Sequence, residues 1–172
     1  MLIALFKIDK HNVSFSVPTG NFGDIYAGYM AKKMGLPMNK LIVATNENDI
    51  LQRVINTGEY KPGKVKPSLS PSMDIQVSSN FERLLFDIVG QNDKKVISLM
   101  NKLLTKGFFK LNEEEVKTIK KDFCAEKIND QETLSIIKNL NIESKFVLDP
   151  HTATALGAAK KIGNLSETVV LG

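Results

Sequence analysis

A single cysteine, Cys124, stands among 172 residues, so no disulfide can close within the chain, and a reducing compartment suits it. Its neighbours Phe123 and Ala125 mark the thiol as a buried structural group. Only two histidines occur, His11 and His151, and neither sits at a metal-ligand spacing with cysteine or carboxylate. No Ser/His/Asp arrangement can be assembled from the sequence either. Apolar runs fall well short of the roughly 20 residues that span a bilayer. The opening stretch MLIALFKI lacks the basic start and small-residue cleavage site of a signal peptide, which leaves the cytoplasm as the default location. Charge of one sign is also scarce. The 23 basic residues exceed the 19 acidic ones by four, and the lysines are scattered without interleaved aromatics, which argues against a nucleic-acid surface. The lysine-rich run Lys117 to Lys121 reads as the wet face of a helix.

With 42% apolar residues the chain has the material for one domain with a real core. Val13 to Val17 alternate and run into Pro18, as a short buried strand does. The period then changes. Phe22, Ile25, Tyr26, Tyr29, Met30 and Met34 follow a three-four spacing, one face of a helix that Gly35 and Pro37 stop. Lys40 to Thr45 is a second strand, which completes a strand-helix-strand unit and calls for a parallel sheet with a right-handed crossover. Asn46, with Asp49 three residues on, is placed to cap a helix whose inner face is Ile50, Leu51, Val54 and Ile55, ended by Gly58. Prolines and lysines from Tyr60 to Ser72 make a surface loop.

Four helices follow in the expected order. Ser79 and Glu82 form a capping box ahead of Phe81, Leu84, Leu85, Ile88 and Val89. Val96, Ile97, Met100, Leu103 and Leu104 repeat the stripe up to Gly107. A third helix starts at Asn112 with Glu115 and buries Val116, Ile119 and Phe123, and a fourth runs from about Gln131 to Leu140. No strand is expected between them, so they read as a helical layer or subdomain, about 79–140, against the sheet. Phe146 to Leu148 returns as a strand, Asp149 and Pro150 open an alanine-rich helix, and Thr168 to Leu171 closes the chain as a strand. The fold class is therefore α/β, a doubly wound, largely parallel sheet with a helical layer. An apolar start without a cap and a stop on a strand give both ends the look of cuts.

Chemistry concentrates between Ser16 and Gly35, in SVPTGNFGDIYAGYMAKKMG. Gly20 and Gly23 bracket Asn21 and Phe22 immediately before the helical stripe. Glycine lets the backbone approach an anion closely, and the first amides of the helix stay unpaired and point outward. In a parallel sheet such a loop lies where ligands bind, beyond the carboxyl ends of the strands. Asp24 would repel an anion at contact distance, so its better place is the first helical turn, facing the dipole. Asn46 and Asn48 follow a strand end in the same crevice, where their amides suit a carboxylate or phosphate. His151, in the first turn of its helix, suits a hydrogen bond to an adjoining loop.

The literal string is more specific than its spacing. It resembles the phosphate loop of the threonine synthases, pyridoxal-phosphate (PLP) enzymes of the tryptophan-synthase-β-like fold, fold type II. Three more stretches are similar in the same order: ATNENDIL from Ala44, SPSMDIQVSSNFERLLFD from Ser70, and DPHTA from Asp149. The resemblance runs from about residue 12 to the end. It implies conversion of O-phospho-L-homoserine and water to L-threonine and phosphate, with PLP as cofactor, held through Gly20, Asn21, Phe22, Gly23 and Asp24. Asn46 and Asn48 are the candidate substrate contacts, and Ser70, Ser72 and Asp74 lie in a matching stretch without an assigned role. The family's Schiff-base lysine lies upstream of the glycine loop, and no matching motif surrounds Lys7 or Lys10. The resemblance thus implies that residues 1–172 are a single C-terminal portion of the PLP-binding domain, carrying no catalytic lysine and inactive without an N-terminal half. An alternative is a non-catalytic phosphate-binding module that completes an active site with a separate chain. A Rossmann-like dinucleotide binder is disfavoured, because GxGxxG is missing and Thr45 and Asn46 stand where an acidic residue would end the second strand.

Overall fold

The computed structural model describes residues 13–163 and 165–172, with only the backbone considered at 166; the expectations for His11 and for the apolar start lie outside them. A four-stranded parallel sheet is built from β1 (Val13–Pro18), β2 (Met38–Thr45), β5 (Phe123–Lys127) and β6 (Thr168–Val170), in the order β5-β2-β1-β6. The chain steps outward from β1 through β2 to β5, then returns to lay β6 on the free side of β1. That reversal places the topological switch between β1 and β6, and a crevice opens beyond the carboxyl ends of strands at such a point.

Period-two alternation divides the sheet between two cores. Val17, Leu41, Val43, Phe123 and Ala125 face one side, packed with residues of α1 (Asp24–Lys33), α2 (Ile50–Thr57), α3 (Phe81–Ile88), α4 (Asp93–Lys106) and α5 (Glu113–Asp122). Ile42 and Ala44 face the other, under Ala155, Ala158 and Ala159 of α7 (Pro150–Ile162). Helices therefore cover both faces, as the doubly wound reading requires. The alanines bring α7 close to the sheet, and Ser16 of β1 donates a hydrogen bond to the Ala155 carbonyl at 2.7 Å. The remaining helix, α6 (Asp130–Ser144), lies beside α7 and is capped by an Asn129/Glu132 box.

Several expectations need correction. A strand does intervene among the helices: β5 follows α5 directly and pairs with β2 at the sheet edge. Its five residues end in Glu126 and Lys127, so one buried side of a short edge strand left little periodic signal. A second small sheet joins β3 (Glu59–Tyr60) to β4 (Phe109–Lys110) and stacks the Tyr60 and Phe109 rings 4.8 Å apart. Phe146 to Leu148 is not a strand: it pairs with no strand among the described residues, and Phe146 is 59% exposed. On α1 the buried seam is Ile25 and Tyr29, continued backward by Phe22, while Met30 and Met34 turn outward. Successive helical residues are rotated by about 100°, so a helix lying on a flat layer buries a narrower stripe than the sequence pattern offers. For the same reason Leu99 is the buried residue of α4, and Ile97 and Leu104 face outward.

Two capping expectations also change. Asp49, not Asn46, stands at the N-cap of α2, with its carboxylate bonded to Arg53 and Lys127. Asn80 holds the corresponding place on α3, and Ser79 bonds Asn21 instead. The Asn112/Glu115 box on α5 forms as read, and Glu115, buried, also pairs with Lys95.

At the end of α2, Gly58 adopts φ +79°, and a Cβ there would lie 2.7 Å from Val116 Cγ2 and 3.1 Å from the Leu111 carbonyl. Gly58→Ala is expected to lower the unfolding free energy by about 2–3 kcal/mol, from left-handed strain plus the clash. Urea unfolding checks this; a midpoint equal to the parent's would refute it.

Candidate functional site

The loop from Thr19 to Gly23 leaves β1 at the switch point and is pinned before it turns. Thr19 donates its N–H to the Ala44 carbonyl at 2.8 Å and its hydroxyl to the Val17 carbonyl at 2.7 Å. Phe22 then drops into the core with 0% exposure, packed edge-on against Phe81 and tilted against Phe123. An aromatic anchored between two glycines draws the backbone tight over the strand end. The N–H groups of Gly20, Asn21 and Phe22 find no partner among the described residues. The Gly23 N–H differs: it donates to the Asn21 carbonyl at 2.8 Å.

Helix α1 begins at Asp24, with Gly23 as its N-cap and no side chain accepting from its first amides. By contrast α4, α5, α6 and α7 are capped by Asn92, Asn112, Asn129 and Asp149. Three loop amides and the uncapped first turn thus gather donors at the positive end of a helix, chemistry that suits an anion. Asp24 is exposed on that first turn. Asn80, which sequence reasoning passed over, has its amide nitrogen 3.7 Å from where a Cβ on Gly23 would lie. Its only sequence signal was its place inside SSN, read as a cap. Asn21 reaches the same segment, its carbonyl oxygen accepting from the Ser79 N–H and hydroxyl at 3.3 and 3.2 Å.

Asn46 and Asn48 sit at the end of β2 and are 2% and 3% exposed, with their amides engaged inside the protein. Asn46 Nδ2 donates to Ser68 Oγ and Asp74 Oδ1, each at 2.8 Å, and lies 3.1 Å from Ser70 Oγ. Asn48 Nδ2 donates to the Lys66 carbonyl at 2.8 Å and to Asp74 Oδ1 at 3.0 Å. Asn46 Oδ1 accepts from the Asn48 N–H at 2.8 Å, closing a turn. The 66–74 segment is tied down by this knot, and it passes over the glycine loop. A Cβ on Gly20 would lie 2.8 Å from the Ser72 carbonyl oxygen and 3.1 Å from Met73 Cα. The space a side chain would fill is already backbone.

His151 bonds an adjoining loop, as expected, with Nε2 2.6 Å from Ser72 Oγ. Asp149 caps α7 by accepting from the His151 and Thr152 amides and from the Thr152 hydroxyl. The Thr152 hydroxyl, followed by those amides and His151, holds the Asp149 carboxyl below the usual carboxylate range despite partial burial. Cys124 is half-buried, and burial pushes its thiol up to about 11, an unreactive state at neutral pH. No cluster of His, Cys, Asp and Glu among the described residues is arranged to hold a metal. No helix among them is long and apolar enough to cross a membrane.

No family model matches the chain. Curated relatives do: it is 48% identical to the threonine synthase of Pseudomonas aeruginosa over 150 residues, covering 87% of this chain and 32% of that protein. It is 44% identical to the threonine synthase of Saccharomyces cerevisiae, covering 90% and 33%. Among solved structures, PLP-bound threonine synthase from Brucella melitensis superposes with a TM-score of 0.94 at 44% identity, over 99% of this chain and 37% of that one. Yeast threonine synthase follows with 0.88 at 39% identity, over 96% and 36%. The chain therefore spans about a third of the length of the relatives it matches.

Proposed function

Because the chain is a homologue of the threonine synthases, we propose that it is the C-terminal, phosphate-holding portion of such an enzyme. The observation that carries the proposal is the glycine loop at the β1/β6 switch point, with three unpartnered amides and an uncapped helix behind it. Those residues fit the phosphate of PLP: three consecutive amides are without a partner among the described residues, Gly20 lets the loop pass close beside the Ser72–Met73 backbone, and the helix end favours a dianion. Gly20, Asn21 and Phe22 bind the phosphate through their amides, and Gly23 lets α1 start beside it. Phe22 orients the loop from the core, and Asp24 stays on the first helical turn, away from the anion.

Bound PLP would supply the electron sink for rearranging O-phospho-L-homoserine and water into L-threonine and phosphate. Asn46 and Asn48 act by holding the segment that walls the loop, since their amides already have partners. Residues 1–172 are a single portion of the catalytic domain, in which α3, α4 and α5 add a helical layer on one face of the sheet and α6 joins α7 on the other. The covalent lysine comes from an N-terminal portion, so the chain alone does not turn over substrate.

The test titrates the purified chain with PLP and follows the phosphate by 31P NMR. A saturable shift is expected, with no phosphate release from O-phospho-L-homoserine until the N-terminal portion of a relative is added. Absence of PLP binding overturns the phosphate-loop assignment, and turnover by the 172-residue chain alone overturns its incompleteness.

A further inference from the structure

We infer that Asp74 is the positioning residue of the glycine loop, acting at a distance through the 66–74 segment; this rests on reading that loop as an anion site. The segment contains Pro67 and Pro71 and, apart from one 3-10 turn at Pro71–Met73, no regular structure. Its path must be set by side-chain bonds rather than by a hydrogen-bonded ladder. Asp74 gathers four of them: Oδ1 accepts from Asn46 Nδ2 at 2.8 Å, from Asn48 Nδ2 at 3.0 Å and from Ser68 Oγ at 2.6 Å, and Oδ2 accepts from the Ser68 N–H at 2.9 Å. Both asparagines belong to the end of β2, so the carboxylate fastens the segment to the rigid sheet.

What the fastened segment presents to the site is backbone. The Ser72 carbonyl oxygen and Met73 Cα stand 2.8 and 3.1 Å from where a Cβ of Gly20 would be, so they form a wall close against the loop. Met73 is buried beneath, and Ser72 Oγ meets His151 Nε2 at 2.6 Å, which holds the same turn from the α7 side. With the carboxylate gone, four donors lose an acceptor; Asn46 still holds Ser68 and Ser70 and Asn48 still holds Lys66, but the Ser72–Asp74 end of the segment loses its bonds to the end of β2. The glycine loop, whose amides at Gly20, Asn21 and Phe22 make no bond among the described residues, then keeps its Thr19 and Phe22 anchors but loses the fixed wall beside Gly20.

The test measures 15N order parameters of the Gly20–Gly23 amides and 31P-detected PLP affinity in the 172-residue chain and in Asp74→Ala. Order parameters in the loop are expected to fall from about 0.85 to below about 0.6, with β2 amides unchanged. PLP affinity is expected to fall roughly tenfold or more, the scale set by leaving donors unpaired. A folded Asp74→Ala chain with an unchanged loop and unchanged affinity overturns the inference. Should Asp74→Ala lose the β2 signals as well, Asp74→Asn decides: it keeps shape and some acceptors, so it must loosen Gly20–Gly23 to a smaller degree, and failure to do so also overturns the inference. If the parent chain binds no PLP, the phosphate-loop reading falls, while the order parameters still decide the role of Asp74.

Discussion

Phe22→Ala is expected to lower the unfolding free energy by about 3–5 kcal/mol, the range for deleting a fully buried aromatic side chain. Phe22 has no exposed surface, and its ring lies 5.4 Å from Phe81 at 86° and 5.6 Å from Phe123 at 45°. The cavity would open among three elements, the glycine loop, α3 and β5, which have no other shared ring. Two effects should arrive together, because the same ring fixes the backbone between the two glycines: lower stability, and weaker PLP binding in whatever fraction stays folded. Urea unfolding at two wavelengths and a 31P titration measure the pair. Phe22→Leu, which keeps most of the volume, should recover most of the stability. An alanine variant within about 1 kcal/mol of the parent would show that the ring is not the anchor described here.

Gly20→Ala and Gly23→Ala are expected to differ sharply although the two glycines look equivalent in the sequence. At Gly20 the new methyl would meet the backbone of the Ser72–Met73 peptide, at 2.8 and 3.1 Å, which cannot swing away as a side chain can. Overpacking of this kind costs about 1–3 kcal/mol, and if it is relieved by displacing the loop, PLP affinity falls roughly 10- to 100-fold. At Gly23 the nearest atom is Asn80 Nδ2 at 3.7 Å, an ordinary contact, and φ is −79°, which alanine accepts. Gly23→Ala should therefore leave both stability and affinity within a few-fold of the parent. Equal losses at the two positions would mean that the wall formed by Ser72 and Met73 is not what restricts the loop.

Helix stops and starts were the most legible part of the chain, because a glycine in the left-handed region or an Asn-x-x-Glu box is decided by residues in immediate succession. Gly35, Gly58 and Gly107 end helices with positive φ, and the Asn112/Glu115 box forms as read. The strand-helix-strand unit around the glycine loop was equally legible, since its period changes from two to three and four within a few residues. Features that depend on a distant partner were not. Phe146 to Leu148 has strand composition and pairs with no strand among the described residues, whereas β5 has weaker composition and pairs because β2 offers an open edge. Asn46 reads as a cap by spacing, but its Oδ1 accepts from Asn48 and its Nδ2 donates to Ser68 and Asp74.

By itself the sequence determined that this protein has a glycine turn between a buried strand and a helix, that the sheet is parallel, and that the four matching stretches point to the threonine synthases. These follow from local periodicity, turn chemistry and literal strings, all properties of neighbouring residues. Only the tertiary structure decided what surrounds the loop: Phe22 in the aromatic core, Gly20 against the Ser72 carbonyl, and Asp74 gathering Asn46, Asn48 and Ser68. Apart from Ser68 and Asp74, six positions apart, those contacts join residues some 26 to 59 positions apart. Their physical cause is the requirement that every buried polar group find a partner and every buried ring find a close-packed space, a condition met only when the whole chain is folded.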